Sequence, residues 1–272
     1  MKGWPGEPDM DYDVLVADGE AAANAGKPIT DVIFDFGNVL IYWDPAAVLI
    51  PRYSQKTIDE FLDNNISGFY DVNDLMDGGT STDEAIAIIR RDRGDKWADI
   101  LDYYIKNFRD SLTGIVPGAR VLVNDLKAAG IGVWGLSNWE SSLFHVAEEQ
   151  CDILQQLDGK LVSGFVKLRK PHKEIYEAAL NQFGIKADGA LFIDDKAMNI
   201  VGSNAAGIRG VRFQDPAADL VPIRFVTTED EEISAGNTLV SVYAEAEQAG
   251  MPLWCIIYVC IYVYLREAFS RI

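Results

Sequence analysis

The sequence predicts an α/β protein with a doubly wound parallel sheet, in which a helical insert follows the first strand of the core. Short apolar runs rich in β-branched and aromatic residues alternate with segments whose apolar residues recur at helical spacing. This alternation is typical of parallel strands joined by crossover helices. Between the first two of these runs lie about seventy residues without a convincing strand, which is too long for a simple crossover.

The first core strand is predicted at Val32 to Phe34, within the sequence DVIFDFGNVLIYWD of residues 31–44. Asp35 ends the apolar run, and a strand end delivers its side chain to the carboxyl edge at which open α/β folds bind ligands. Gly37 and Asn38 follow, and these residue types tolerate unusual backbone angles that let main-chain amides turn toward a ligand. A carboxylate beside such a loop suits phosphate chemistry. An ordinary Asp at a strand-to-loop junction is the alternative interpretation.

The helical insert is predicted over residues 45–113. Asp44 and Pro45 have the residue types of a helix N-cap and of the first helical position. Apolar residues then recur at helical spacing in three segments that turn signals separate: 57–62, 82–91 and 98–108. We therefore expect a helical unit here, and a core formed by residues 30–44 and 114–216.

The remaining core elements alternate between helix and strand. The predicted helices are 119–129, 140–150, 172–183 and 198–206, and the predicted strands are 131–136, 164–166, 190–193 and 210–213. Polar residues follow three of these strands: Ser137-Asn138, Lys170 and Asp194-Asp195. Taken singly, they have ordinary explanations as a helix cap, a surface lysine and a capped turn. Together with Asp35, in this order in a doubly wound chain, they are hard to reach by chance and indicate a site.

The two ends of the chain differ from the core in character. Residues 1–29 are acidic and rich in Gly, Ala and Pro, which predicts a flexible acidic extension. Residues 217–272 form a C-terminal extension without an assigned role. Its residues 253–265 are an unbroken apolar and aromatic run of about thirteen residues, short of the ~20 that a membrane helix needs. We expect a packed edge strand or helix there, with an interfacial anchor as the alternative, and no transmembrane span.

The charge balance limits the classes of partner. The chain has 24 basic and 42 acidic residues and a formal net charge of −18, which argues against nucleic acid or an anionic membrane surface. An anionic substrate would need a metal ion or local basic residues. The three cysteines and two histidines show neither zinc-ligand spacing nor a disulfide framework, and the N-terminus lacks the pattern of a signal peptide. These features fit a cytoplasmic protein.

Four short motifs resemble those of the haloacid dehalogenase superfamily, over about residues 31–215. They are IFDFGNVL (33–40), GLSN (135–138), RKP (169–171) and FIDDKAMN (192–199). The DFGNV sequence is similar to the first motif of a sugar-phosphatase-like branch. The resemblance implies a Rossmann-like core, with the insert as a mobile helical cap. It also implies a Mg²⁺-dependent phosphatase that acts on a small phosphorylated metabolite, such as a sugar phosphate.

The resemblance further implies roles for individual residues. Asp35 would be the nucleophile that forms an aspartyl phosphate, which splits one difficult displacement into two easier ones. Ser137, Asn138 and Lys170 would bind the phosphoryl group. The implied Mg²⁺ ligands are Asp35, the Gly37 carbonyl, Asp194 and Asp195, with Asp194 coordinating directly or through water. Mg²⁺ and lysine suit this chemistry because they offset the repulsion between two anions. Asn199 stands where the family often has a second acid, and would orient a metal-bound water.

Position 37 departs from the pattern of most phosphatases in the superfamily. They have a second Asp there, which protonates the leaving group and activates water, and such help is typically worth ~10²–10⁴-fold in rate. Asp44, a water or the substrate are the candidates to supply the proton here, and Gly37→Asp is expected to raise turnover. Because the haloacid-cleaving members also lack this Asp, a 2-haloacid dehalogenase is an alternative. A non-catalytic module that binds phosphate or a protein is a third.

Overall fold

The structure, a computed structural model, describes residues 8–214. Its strands in chain order are β1 (Leu15–Val16), β2 (Asp31–Phe34), β3 (Ile41–Trp43), β4 (Leu112–Ile115), β5 (Gly132–Ser137), β6 (Gly159–Val162), β7 (Ala190–Asp194) and β8 (Arg209–Arg212). Its α-helices are α1 (Pro45–Leu49), α2 (Gln55–Leu62), α3 (Asn64–Ser67), α4 (Phe69–Asp77), α5 (Thr82–Arg93), α6 (Asp95–Lys106), α7 (Ala119–Ala128), α8 (Phe144–Gln150), α9 (Ser163–Val166), α10 (Lys173–Phe183) and α11 (Ala197–Ala205).

Six strands form the central sheet, in the order β1-β8-β7-β2-β5-β6. All neighbouring pairs are parallel except β1 and β8, which are antiparallel. After β2 the chain builds β5 and β6 on one side, and it then builds β7 and β8 on the other side of β2. This reversal of direction is the topological switch point at which α/β sheets bind ligands. The predicted doubly wound α/β fold is confirmed.

Apolar residues cover both faces of the sheet. Val32 and Phe34 of β2 belong to one buried cluster, whereas Ile33 between them belongs to a second cluster on the opposite face. All three side chains are at most 1% exposed. A strand of a parallel sheet that is covered on both sides reads as a continuous apolar run, which explains why β2 could be recognised in the sequence.

Helices α1 to α6 lie between β3 and β4, and these two strands pair with each other as a separate antiparallel ribbon. We call residues 45–106 the helical segment. Aromatic rings fill its interior: Phe69 lies 4.7 Å from Phe61 and 5.1 Å from Tyr104 between ring centroids. These side chains belong to the same buried cluster as one face of the central sheet. β4 begins at Leu112, inside the interval 45–113 that was expected to contain no strand, because the chain pairs with β3 as it returns to the core.

The N-terminal region is more ordered than the expected flexible extension. Leu15 pairs with Val211, so β1 completes the sheet beside β8. The amide N–H of Asp18 donates to the Asn204 side chain over 2.6 Å, and Ala21 is fully buried. The correction applies to residues 8–29, and it arises because a short apolar pair satisfies the open edge of β8. Residues 1–7 lie outside the described part of the chain.

The third core strand is also displaced from its predicted position. Residues 164–166 were expected to be a strand, but they belong to helix α9, and the strand is β6, a few residues earlier. Pairing with β5 buries Leu161 and Val162, whereas Phe165 is 63% exposed. Burial against the sheet therefore determines where the strand lies. Local apolar character alone predicted the wrong position.

The predictions for residues 217–272, including the apolar run 253–265, fall outside the described residues. Within residues 8–214, no helix has both the length and the apolar character that crossing a membrane requires.

A glycine in α11 permits a close approach to the loop that carries Lys170. A Cβ atom at Gly202 would overlap the main-chain carbonyl of Pro171, the residue that follows Lys170. Ala is favoured over Gly by about 1 kcal/mol within an open helix, but overpacking against backbone costs typically ~1–3 kcal/mol. We expect Gly202→Ala to lower the melting temperature, measured by circular dichroism. Gly26→Ala is the control, since a Cβ there meets no atom within 4 Å. A Gly202→Ala variant as stable as wild type would contradict the argument.

Candidate active site

The site begins at Asp35, immediately after β2 at the carboxyl edge of the sheet. Its N–H donates to the carbonyl of Ile193 in β7 over 2.9 Å, which continues the strand pairing up to this residue. Its Oδ1 accepts hydrogen bonds from the N–H of Phe36 and from the hydroxyl of Ser137, both over 2.7 Å. Because β2 and β5 are adjacent and parallel, the residues at their ends meet, as expected for strands of one parallel sheet.

Lys170 joins two carboxylates across the edge of the sheet. Its Nζ lies 2.9 Å from Asp35 Oδ1 and 2.6 Å from Asp194 Oδ2, and it also donates to the carbonyl of Leu136 over 3.1 Å. The side chain is only 1% exposed. A surface lysine that merely precedes a helix is therefore excluded.

Asn138 holds the main chain of Lys170 in place. Its side-chain amide donates to the Lys170 carbonyl over 3.0 Å, and its Oδ1 accepts from the Lys170 N–H over 2.8 Å. Both ends of the amide are thus used within the protein. The sequence placed Asn138 among the residues that would bind the phosphoryl group, whereas its side chain positions Lys170, which the sequence did not indicate.

Asp194, at the end of β7, is fixed by three donors. Besides the Lys170 ammonium, it accepts from the N–H of Lys196 over 2.8 Å and from the Asn199 amide over 2.9 and 3.0 Å. Asn199 therefore orients a carboxylate directly, whereas the sequence had suggested that it orients a metal-bound water. Asp195 follows Asp194, and ligand oxygens of Asp35, Asp194 and Asp195 all lie within 4.8 Å of one another.

The surroundings of Asp35 and Asp195 disfavour the charged form of their carboxyl groups. Burial raises the pKa of Asp35, with Lys170 opposing the shift and Asp194 adding to it. Burial, and then repulsion from Asp194, raise the pKa of Asp195 to about 7. Burial disfavours the charged form of Lys170, but Asp194 and Asp35 outweigh it and raise the pKa of the ammonium group. Three neighbouring carboxylates thus share a site with one buried ammonium.

This donor set fits a magnesium ion. Mg²⁺ prefers hard oxygen ligands, carboxylates above all, and it commonly keeps several waters. Three carboxylates whose oxygens lie within 4.8 Å of one another provide such ligands and carry the negative charge that a divalent cation would balance. Gly37 lies two residues after Asp35, next to Asn38, which has a left-handed backbone with φ of 57°.

The structure also decides the place of Asp44. Its Oδ1 accepts from the N–H of Ala46 over 2.9 Å, with Pro45 as the first residue of α1, which confirms the predicted N-cap. The side chain is exposed. In this structure the Asp44 carboxylate therefore serves as the N-cap of α1.

A comparison with known protein families covers the part of the chain that contains these site residues. Residues 32–213 match the family model described as haloacid dehalogenase-like hydrolase. The chain belongs to this family. The matched region runs from β2 through β8, and it contains all four motifs at the carboxyl edge of the sheet. The protein is thus a hydrolase of the haloacid dehalogenase-like family.

This chain is also similar to individual known proteins. The sesquiterpene phosphatase astK of Aspergillus oryzae is 26% identical over 194 residues, which cover 71% of this chain and 93% of the relative. The (S)-2-haloacid dehalogenase 4A of Burkholderia cepacia is 26% identical over 112 residues, covering 40% and 48%. A HAD family enzyme from Bacteroides thetaiotaomicron, solved with magnesium and inorganic phosphate, has a TM-score of 0.52 and 20% identity, covering 69% of this chain and 96% of that one. This last likeness shows the shared fold.

Proposed function

We propose that this protein is a magnesium-dependent phosphatase that hydrolyses a small phosphate monoester through an aspartyl phosphate on Asp35. One observation carries the proposal: the Asp35 carboxylate contacts both the Ser137 hydroxyl and the buried Lys170 ammonium, beside the carboxylates of Asp194 and Asp195. A nucleophile, two phosphate-binding groups and ligands for a cation thus lie together. The similarity to a sesquiterpene phosphatase, which covers 93% of that relative and 71% of this chain, supports the same reaction class.

Each residue has a role in this reaction. The Asp35 carboxylate attacks phosphorus and displaces the alcohol, and water then hydrolyses the aspartyl phosphate. Ser137 and Lys170 bind the phosphoryl oxygens, and Lys170 offsets the charge that repels the nucleophile. The hydrogen bonds from Asn138 keep Lys170 at this position. Asn199 and Lys170 fix Asp194 so that its oxygens face the site.

Magnesium would be held by the carboxylates of Asp35, Asp194 and Asp195, together with the main-chain carbonyl of Gly37. When bound, the ion neutralises charge on the phosphoryl group and orients it for attack.

Two classes of ester are candidates for the substrate. The similarity of the DFGNV motif to a sugar-phosphatase-like branch favours a sugar phosphate. The name of the Aspergillus oryzae relative adds a sesquiterpene phosphate. Residues of the helical segment would select between them, since the segment follows the first motif, and the resemblance implies a mobile cap there. Tyr70, Asp71 and Asp77 of α4 are the candidates to take part, whereas Phe69 is completely buried among the aromatic rings of the segment.

A screen of phosphate release tests the proposal. Sugar phosphates, nucleotides and a sesquiterpene phosphate are incubated with the protein, with and without Mg²⁺. We expect phosphate release that requires Mg²⁺. Chloride release from a 2-chloro acid, without phosphatase activity, would instead favour the dehalogenase function that the Burkholderia cepacia relative suggests. Binding of phosphate without either reaction would indicate a non-catalytic module.

A further inference from the structure

A phosphatase that acts on sugar or terpenoid esters needs a proton donor, because an alkoxide is a poor leaving group. In most phosphatases of the superfamily that the four motifs resemble, an Asp at the position of Gly37 donates this proton. Here that side chain is missing. Asp44, the alternative suggested by the sequence, is exposed and caps α1. The inference below rests on the proposed phosphatase function and concerns the source of this proton.

The C-terminal end of α4 is fastened to the loops that carry the phosphate-binding residues. The Ser163 hydroxyl donates to the carbonyl of Asp77 over 2.6 Å, and it accepts from the N–H of Trp139 over 2.9 Å. Trp139 lies two residues after Ser137. Arg169, next to Lys170, donates to the Asp74 carbonyl over 2.7 Å and forms an ion pair with the Asp74 carboxylate.

Asp77, the last residue of α4, lies at the junction between the helical segment and the carboxylate cluster. On the core side, the charges of Lys196, Asp35 and Lys170 act on its carboxyl group. The charge of Asp77 also acts on Tyr104 of α6, whose pKa is raised mainly by burial and in part by that charge. The Asp77 carboxylate accepts a hydrogen bond from the Asn73 side chain of the same helix over 3.4 Å. Its main chain is joined through Ser163 to Trp139, so Asp77 lies next to the loop that follows Ser137.

The protonation of Asp77 suits a donor. Burial, as the largest cause, raises its pKa to about 7. Lys196 and Lys170 oppose this shift, whereas Asp74 and Asp35 add to it. The raised pKa means that Asp77 holds its proton up to near neutral pH and loses it as the pH rises through about 7. A general acid whose pKa lies near the operating pH is the most effective. Within residues 8–214, Asp77 is not among the carboxylates grouped as possible metal ligands.

We propose that Asp77 is the general acid and base of the reaction, in place of the side chain that position 37 lacks. As Asp35 attacks, the bond from phosphorus to the ester oxygen breaks, and Asp77 gives its proton to that oxygen to release the alcohol. The Asp77 carboxylate then takes a proton from the attacking water. The new bond from water to phosphorus forms as the bond to Asp35 breaks, which releases inorganic phosphate and returns the proton to Asp77.

Leaving-group dependence tests this role. The substrates are 2,4-dinitrophenyl phosphate, whose leaving group needs no proton, and an alkyl phosphate that the wild type hydrolyses, both with saturating Mg²⁺. We expect Asp77→Asn to lower kcat/KM for the alkyl ester by about 10²-fold or more and to change the aryl ester only several-fold. Asp102→Asn, an equivalent change in α6 that removes only a surface pair with Lys106, is the control and should retain both activities.

Rescue gives a second test. The structure accepts a side chain at position 37, since a Cβ on Gly37 meets no atom within 4 Å and its φ is outside the left-handed region. Adding Gly37→Asp to the Asp77→Asn variant should restore alkyl ester hydrolysis at least tenfold, because the new carboxyl can supply the proton.

The possible results separate the two proposals. An equal loss on both esters, or no loss on either, overturns the role of Asp77 and leaves the phosphatase function standing. A wild type that releases phosphate from the aryl ester alone also overturns it, since no donor is then acting. A wild type that releases phosphate from no ester overturns the proposed function itself. Thermal melts check the fold, and Asp77→Ser replaces Asp77→Asn if that variant does not fold.

Discussion

Asp35→Asn is expected to abolish turnover while leaving the fold intact. A carboxamide has the shape of a carboxylate, but it is a poor nucleophile and a weak metal ligand, so we expect a loss of several orders of magnitude. The fold tolerates the change because Oδ1 can still accept from Phe36 and Ser137. Lys170 retains Asp194 as an ionic partner, at 2.6 Å.

The measurement is Mg²⁺-dependent phosphate release by purified wild type and variant, with thermal melts of both. Asp44→Asn is the matched control, because Asn is as good an N-cap as Asp and the side chain is exposed. If Asp35→Asn keeps more than about a tenth of the wild-type activity, the loss is under ~1.4 kcal/mol and Asp35 is not the nucleophile.

Lys170→Met should reduce the rate, the affinity for phosphate and the stability of the protein together. The substitution removes the positive charge that touches both Asp35 and Asp194, in a position that is almost completely buried. Removing one partner of a buried ion pair leaves an uncompensated charge and costs typically ~3–5 kcal/mol. In turnover, it removes a group that binds the phosphoryl oxygens.

Paired kinetics and thermal melts, with and without Mg²⁺, measure both effects. We expect the loss of stability to be larger without Mg²⁺, since the cation can balance part of the negative charge that Lys170 no longer compensates. Lys173→Met is the control: this lysine pairs with Glu20 and Glu177 at the surface, and its removal should leave the melting temperature nearly unchanged and the activity unchanged. Unchanged kinetics in Lys170→Met would contradict the assigned role.

Much of the candidate site could be located from the sequence, because its residues come directly after the apolar runs that form the strands. Asp35 and Ser137 follow apolar runs that form adjacent parallel strands, and Asp194 ends the strand on the other side of β2. In a parallel sheet, all these ends lie at one edge, so the residues gather without any knowledge of side-chain contacts. The structure brings Asp35, Ser137 and Asp194 together with Lys170.

Other features depend on contacts that no local pattern contains. The hydrogen bonds from Asn138 to Lys170 join residues 32 positions apart, and the short strand β1 forms only because the edge of β8 is available to it. Phe165 is apolar but exposed, so the apolar character of residues 164–166 predicted a strand at the wrong position.

The sequence by itself therefore determined the fold class, the family and the edge of the sheet at which the chemistry would occur, because alternating apolar runs and the residues that follow them are local properties of the chain. Only the tertiary structure decided that the Asn138 side chain holds Lys170, that the Asn199 side chain binds the Asp194 carboxylate, and that the main chain of Asp77 is joined to the loop that follows Ser137. The physical reason is that hydrogen bonding and burial of a side chain depend on neighbours brought together by packing. Asp77 is one of 42 acidic residues in the chain, and its raised pKa exists only where α4 meets the core.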